Sequence, residues 1–564
     1  MPEINRALVK DILDSFTYYN DVQDESSCYV EYKMATGEKL FEPLDSKMFA
    51  AFVKEIYRHE TDEYVDFSLR PFLNIRRQGL MVNGDRKVKI CHRLTGSIAS
   101  QEIQYFLADD MRNIYYISPD EMGFLQENSG TDVRFLKKTA DQPQVVPEES
   151  DRDLFTLLRP YVNLGDEDFL LFVINLVHFF SRNASHYGMI FSSDKGSGKS
   201  TLSKLVRRLI DPSRETVTVM ANSESDLQVT LADSYLVVMD NTDTLSARFA
   251  DLLCSAITGA SASKRKLYTD SDKVILDLYN ALIINGINVV PHRSDLAQRC
   301  LLFSLKPISD ENRKTDEEFW DAFEADKPCI LGAIFTTLQK AMQVYPSIDR
   351  NRKLSRMASA NLEMLAVGEA LGISAERCQG LIDANALAME MSYASYNLFV
   401  DYVIEYFQSQ NTRCIRKLAS ALHKEMYESI VGSRTFFPQN HSALSRKLNT
   451  ESGTLALFGI RFYREESNHG TYLVLESIPK KSLTKDQKNM IAHRDALRNE
   501  LAECNRMCRS FDGTEEPEEE EIPNEPEKKS GFKKLIPEKQ QKNNWYDEED
   551  TESAADTDSA SVDH

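Results

Sequence analysis

The sequence predicts an α/β protein, and three observations predict it. The apolar run Tyr187-Gly188-Met189-Ile190-Phe191 enters a glycine-bearing turn, Ser193–Thr201, which opens a helical pattern over Leu202–Leu209. Two more apolar strands end in polar residues, Ser234–Asp240 and Ala281–Asn288, and a fourth runs from Cys300 to Leu305. Beyond Leu305 the apolar spacing is helical through Leu387, with helices expected at Glu317–Phe323, Ile330–Met342 and Arg356–Leu371.

The first turn reads as a phosphate-binding loop. Ser193, Asp194, Lys195, Gly196, Ser197, Gly198, Lys199, Ser200 and Thr201 follow G-x-x-x-x-G-K-[ST], except that Ser193 stands at the first glycine position. A buried strand feeding a glycine turn lets backbone N–H groups wrap an anion at the positive end of a helix. Lys199 is placed to reach the β- and γ-phosphates of a nucleotide, and Ser200 to hold Mg²⁺. Asp240, ending the second strand, sets a carboxylate beside that ion. The third strand offers Asn285 and Asn288 as amides able to sense a γ-phosphate or orient water. Arg299, at the edge of the fourth, can act across a subunit boundary, with Arg293 as its competitor.

With these residues in this order, the stretch from Leu154 to Glu363 resembles the AAA+ ATPases of helicase superfamily 3. It is most similar to the primase-helicase-like ATPases of phages, plasmids and integrative elements. Leu209-Ile-Asp211-Pro212-Ser213, Met239-Asp240-Asn241, Thr258-Gly259 and Ser294-Asp295-Leu296 also carry the likeness. The resemblance implies a fold: a P-loop AAA+ core with an N-terminal α+β domain, a helical lid and a C-terminal winged helix. It implies catalytic roles for Lys199, Asp240 (Walker B), Asn241, Asn288 (sensor 1) and Arg299 (arginine finger), with ATP and Mg²⁺ bound and Ser200 and Asp240 holding the metal. Asn241 stands where many such ATPases carry a glutamate, and an amide cannot accept a proton from water at neutral pH. Between strands two and three, Ser261–Leu276 reads as a hairpin about the polar turn Thr269-Asp-Ser-Asp272. In superfamily 3 such a hairpin tracks single-stranded DNA in a central channel. Lys264, Arg265, Lys266, Tyr268 and Lys273 suit phosphate contact and stacking, and equally a solvated hairpin without DNA.

The divisions expected are 1–150 (α+β), 151–310 (ATPase core), 311–394 (helical lid), 395–480 (winged helix), 481–510 (charged helix) and 511–564 (acidic tail). Residues 1–150 mix a helix near Lys47–Tyr57 with strands at Lys87–Cys91, Ile103–Leu107 and Asn113–Ile117; Asp109 and Asp110 fall in a turn. Pro143–Asp151 is polar and proline-bearing and reads as a linker. Helices at Tyr396–Ser409, Thr412–Ile430 and His441–Leu448 precede a hairpin about Ser467-Asn-His-Gly470. That is the order of a winged helix. Its third helix would present Ser442, Ser445, Arg446 and Lys447 to DNA, although winged helices also bind proteins.

The 564-residue chain carries a net charge of -21, but residues 511–564 hold 18 acids against 6 bases, a net of -12 that leaves -9 elsewhere. An acidic total therefore does not exclude a basic pore. Nine scattered cysteines without a C-x-x-C pair suggest neither a disulfide scaffold nor a zinc site. Phe169–Phe180 is too short for a bilayer span and contains Asn175 and His178, so a buried helix, no membrane partner and a cytoplasmic protein are expected. The function expected is an ATP-dependent DNA helicase or translocase replicating a phage or mobile element as a homo-oligomeric ring, a hexamer, beside a possible separate primase. Two alternatives stay open: an ATP-driven regulatory or defence switch, and an origin-binding initiator whose ATP controls assembly.

Overall fold

The computed structural model describes residues 4–494 except 25, 63–65, 85, 126–131, 194–195, 218–222, 241, 243–244, 260, 266–272, 278, 287–293, 309–310, 312, 353, 431–433, 469, 480–487, 489–490 and 493. By packing the chain divides into Met1–Asp495 and Ala496–His564; the second unit, which holds the acidic tail and half of the expected charged helix, lies outside the described residues.

The centre is a parallel sheet. Helix α1 (Asp166–His178) leads into β1 (Gly188–Ser192), the glycine turn and α2 (Lys199–Ile210); β2 (Leu236–Met239), β3 (Ala281–Gly286) and β4 (Cys300–Ser304) follow. The strand order is β2-β3-β1-β4, with every neighbouring pair parallel. Strands covered on both faces must be apolar throughout, and all four residues of β2 and all six of β3 are buried. The run read as too short for a membrane is α1, buried along Phe169–His178 apart from Leu170; Asn175 donates from Nδ2 to the Tyr187 carbonyl at 3.1 Å. No helix among the described residues is long and apolar enough to cross a membrane.

The region before the core forms two sheets rather than one small domain. Thr17–Asp21, Cys28–Lys33, Lys39–Pro43, Lys87–Cys91 and Val133–Phe135 make one; Leu94–Ser97, Glu102–Phe106, Ile114–Ile117 and Met122–Phe124 make an antiparallel second. The second shares a core with the parallel sheet: Leu94, Ile103, Tyr105 and Ile117 cluster with Phe180, Ile210 and Phe335. Packing does not break at residue 150. The expected linker is pinned too: Gln144 is buried and donates to the Leu209 and Arg208 carbonyls at 2.8 and 3.2 Å, satisfying the end of α2. Asp109 does what a turn aspartate does, accepting from Asn113 N at 2.8 Å.

After β4, the two helices expected on either side of Pro328 are one 29-residue helix, α3 (Asp316–Val344). Its start is fixed by a full capping box between Thr315 and Glu318, and the Pro328 carbonyl accepts from Glu148 N at 3.0 Å. Helix α4 (Ala358–Ala370) packs on α3 and α1.

The C-terminal module has its own core of Phe399, Val403, Leu422, Leu444 and Leu473 with their neighbours. It comprises α5 (Leu398–Ser409), β5 (Cys414–Leu418), α6 (Ala419–Ser429), α7 (His441–Thr450), a short helix at Ser452–Leu457, β6 (Ile460–Ser467) and β7 (Gly470–Ser477). The stretch expected as a helix over Thr412–Ile430 splits, because Cys414–Leu418 pairs with β7 to make a three-stranded sheet in the order β5-β7-β6.

Candidate functional site

The glycine turn lies at the carboxyl end of β1, the edge where open parallel sheets place their ligand crevices. Gly196 (φ +80°) and Gly198 (φ +87°) hold left-handed backbone that an L side chain adopts only at a cost. Lys199 is the first residue of α2 and folds back over the turn: its Nζ donates to the Ser193 carbonyl at 2.6 Å and lies 3.3 Å from Ser193 Oγ. The Ser193 and Ser197 hydroxyls are hydrogen-bonded to each other. The serine at the first glycine position thus closes the loop with its own side chain. Ser200 and Thr201, in the first turn of α2, are half-buried; Asp194 and Lys195 lie outside the described residues.

Asp240 follows β2 directly and is half-buried. The pairing Met239↔Ile284↔Ile190 puts it level with Phe191, two strand spacings from β1, or about 10 Å across the sheet. The acid and the loop therefore share one edge. Asn285 is level with Asp240 on β3; it is wholly buried and donates from Nδ2 to Ser203 Oγ at 3.0 Å, while Ser203 donates to the Lys199 carbonyl at 3.0 Å. That relay, which supports α2 from beneath, has no motif to announce it. Asn241, Asn288 and Arg293 lie outside the described residues.

Arg299 lies at the other edge. Its carbonyl accepts from Gly188 N at 3.0 Å, so the length of β1, about 16 Å, separates it from the loop. Its guanidinium pairs with Asp295 at 2.5 Å and donates to the Asp295 carbonyl at 2.8 Å, and Arg356 shares the same carboxylate. Within one chain Lys199 and Arg299 do not meet.

Two other charged clusters share that edge. Arg93, itself at φ +50°, is buried and donates to Asp211 Oδ1 at 3.1 Å and to the Pro212 and Gln142 carbonyls at 2.9 and 3.0 Å. Asp211 also pairs with Arg207 at 3.5 Å and accepts from Leu236 N at 3.3 Å, at the start of β2. Burial pushes its carboxyl up, but the Arg207 and Arg93 guanidiniums and the Leu236 N–H outweigh that and hold it below its ordinary range. The other cluster is His178 and Glu363, 3.2 Å apart without hydrogen-bond geometry, with Ser181 donating to Glu363 at 2.5 Å. Beside His178, the fully buried His186 has its pKa pushed well below 6.5 by burial and then by His178.

A cavity of ≈ 430 Å³ opens beside the loop. Ser197, Gly198 and Thr201 form one wall, Arg159–Asn163 another, and Pro307, Ile308, Arg313 and Phe319 the third. Among the described residues, no three His, Cys, Asp or Glu side chains are grouped to hold a metal ion.

Of the residues expected to meet DNA, Lys264 and Arg265 lie on the strand Ser261–Arg265, antiparallel to Lys273–Asp277 with Arg265 opposite Lys273. Lys266 and Tyr268 are outside the described residues. On α7, Ser442 and Arg446 are exposed, whereas Ser445 is buried. Lys447 is turned back: its ammonium pairs with buried Glu451 at 3.1 Å and lies 5.8 Å from the centre of the Phe399 ring. An i,i+4 carboxylate inside the fold draws it inward.

Residues 170–376 match the family of actinomycete integrative conjugative element replication proteins. No curated protein matches the chain. Among solved structures, the A-form apo C-terminal region of NrS-1 is 11% identical with a TM-score of 0.36, covering 83% of this chain and 98% of that one. An apo structure of NrS-1 residues 305–718 is 12% identical at 0.38, covering 84% and 98%. JCV helicase with a bound small molecule is 15% identical at 0.23, covering 42% of this chain and 65% of that one.

Proposed function

We propose that the chain is a P-loop ATPase of AAA+ superfamily 3 type that hydrolyses ATP to move along DNA during replication of a mobile element. The observation that carries this is the turn itself: two left-handed glycines between a parallel strand and a 12-residue helix, with Lys199 folded over them and Asp240 on the same sheet edge. The match of residues 170–376 to a replication-protein family supports the setting.

The donor set fits ATP and Mg²⁺. Backbone N–H groups of Gly196–Lys199 and the Lys199 ammonium would bind phosphate oxygens, and Ser200 and Asp240 would hold the metal, whose charge neutralises the phosphates. The cavity beside Thr201 is sized for a nucleoside. Arg299 stands on the far edge of its own sheet, so any part it has in hydrolysis belongs to a neighbouring subunit's nucleotide; that requires assembly, read here as a ring with the Lys264–Lys273 hairpin lining its channel. The C-terminal module has the helix and strand order of a winged helix. Its separate core and exposed Arg446 favour, as a second reading, an initiator that holds duplex DNA while ATP controls assembly.

ATP hydrolysis by the full-length protein with and without single-stranded DNA, at two salt concentrations, tests both. Stimulation that weakens with salt is the expected result. Hydrolysis indifferent to DNA would count against translocation. Arg299→Ala should lose turnover yet keep ATP binding, and full turnover in that variant would remove the role across subunits.

A further inference from the structure

We propose that the helix Ala375–Tyr396 couples nucleotide at the glycine turn to duplex DNA on α7, so that each ligand changes the affinity for the other; this rests on the nucleotide and duplex-holding readings above. The helix has 22 residues. Its buried stripe runs from Ala375 through Cys378, Ile382, Asn385 and Met389 to Tyr393, so Asn385 and Tyr393 put one amide and one hydroxyl into it. A buried amide or hydroxyl costs stability unless it is hydrogen-bonded. These two find their partners in different parts of the molecule.

Asn385 meets the parallel sheet. Its Oδ1 accepts from Leu302 N at 2.9 Å and its Nδ2 donates to the Leu302 carbonyl at 2.7 Å. β4 is the last strand in the order β2-β3-β1-β4, so the amide stands where a further strand would pair. Leu302 follows Arg299 closely and pairs with Ile190 of β1, the strand that feeds the glycine turn. About 12 Å further along the helix, Tyr393 meets the C-terminal module, its hydroxyl donating to Glu451 at 3.1 Å. Glu451 is buried, caps the end of α7 and takes Lys447 at 3.1 Å. Met389 belongs to the main core and Phe399 to the module's, while Tyr393, buried between them in sequence, belongs to neither. Fully bonded buried polar groups specify one arrangement of the parts they join. A movement of β4 therefore reaches α7 along one helix, and a movement of α7 reaches β4 by the same route.

The experiment is binding of a mixed-sequence DNA duplex to the full-length protein, with and without a non-hydrolysable ATP analogue and Mg²⁺, in wild type, Tyr393→Phe and Asn385→Ala. In wild type the analogue should change duplex affinity by about 5-fold or more, and duplex should change analogue affinity by the same factor. Tyr393→Phe keeps the ring and removes the hydroxyl. It should bring that factor to about 1 while each ligand, offered alone, binds as it does to wild type. A residue that only supports the fold would shift the separate affinities or the denaturant midpoint and leave their ratio. Asn385→Ala should act in the same direction from the other end, and Tyr393→Phe carries the test if that variant does not fold. Independent binding of the two ligands by wild type, or an unchanged factor in Tyr393→Phe, would overturn the proposal and leave the nucleotide site standing. If wild type binds no analogue, the nucleotide reading fails and the coupling with it; if it binds the analogue and no duplex, the coupling alone falls.

Discussion

The two edges of the parallel sheet use charge in opposite ways. At the carboxyl edge, Lys199 and Asp240 sit on a half-buried surface beside an open cavity. At the amino edge, Arg93, Arg207 and Asp211 are sealed from solvent and His178 meets Glu363 in a dry interior; Arg299, paired with the half-exposed Asp295, stands apart from these sealed charges. One edge keeps its charges half-buried at the surface, where the proposed nucleotide would meet them. The other commits them to each other, which ties the end of α2 to the start of β2 and the end of α1 to the middle of α4. The same strands serve both, so errors at the buried edge should cost stability and errors at the open edge should cost chemistry.

The largest effect belongs to Asp211→Ala, which strands two guanidiniums in a buried site and should destabilise the fold by about 3–5 kcal/mol. A denaturant midpoint would read it; a shift under 1 kcal/mol would end the distinction between edges. Lys199→Ala should lower kcat by about 10²–10³-fold with no change in that midpoint. If its fold weakened as Asp211→Ala does, Lys199 would belong with the structural charges. The pH dependence sharpens the contrast. The folded pKa of His186 lies below the 6.5 of the unfolded chain, so the unfolded state binds the extra proton and stability falls as pH drops below about 6.5, by ~1.4 kcal/mol per unit for this one group. His186→Gln should flatten the acid limb between pH 6.5 and 5.5 by up to that slope and leave the limb above 7 nearly unchanged. The smallest expected effect is on α7. Arg446→Ala should lower the salt dependence of DNA binding by a slope of about 1, whereas Lys447→Ala should leave that slope unchanged and lower the melting temperature.

Legibility in the sequence followed the range of the interaction. The glycine turn, Lys199 and the hairpin at Ser467–Gly470 are local patterns, and the structure has a turn or hairpin at each. Lys447 misleads because its partner is one helical turn away but buried, which the sequence cannot reveal. Cys414–Leu418 reads as the start of a helix because its strand partner, β7, lies more than fifty residues on. The passage of α3 through Pro328 depends on tertiary packing that overrides a local breaker. Least visible of all was Arg93, whose partner Asp211 is 118 positions away. Asp211 and Arg207 share a helical spacing, but nothing near Arg93 marks it as the residue that completes them.

That ion pair also sets limits on inheritance. A crossover anywhere between positions 93 and 211 takes the two halves of one buried bond from different parents. A hybrid would stay sound only if both parents carried a matching cation and acid. A truncated form beginning at residue 151 would keep the glycine turn intact and still inherit a carboxylate missing one of its two counter-charges. An exchangeable segment of this chain should therefore begin near Leu398, where the C-terminal module closes over a core of its own.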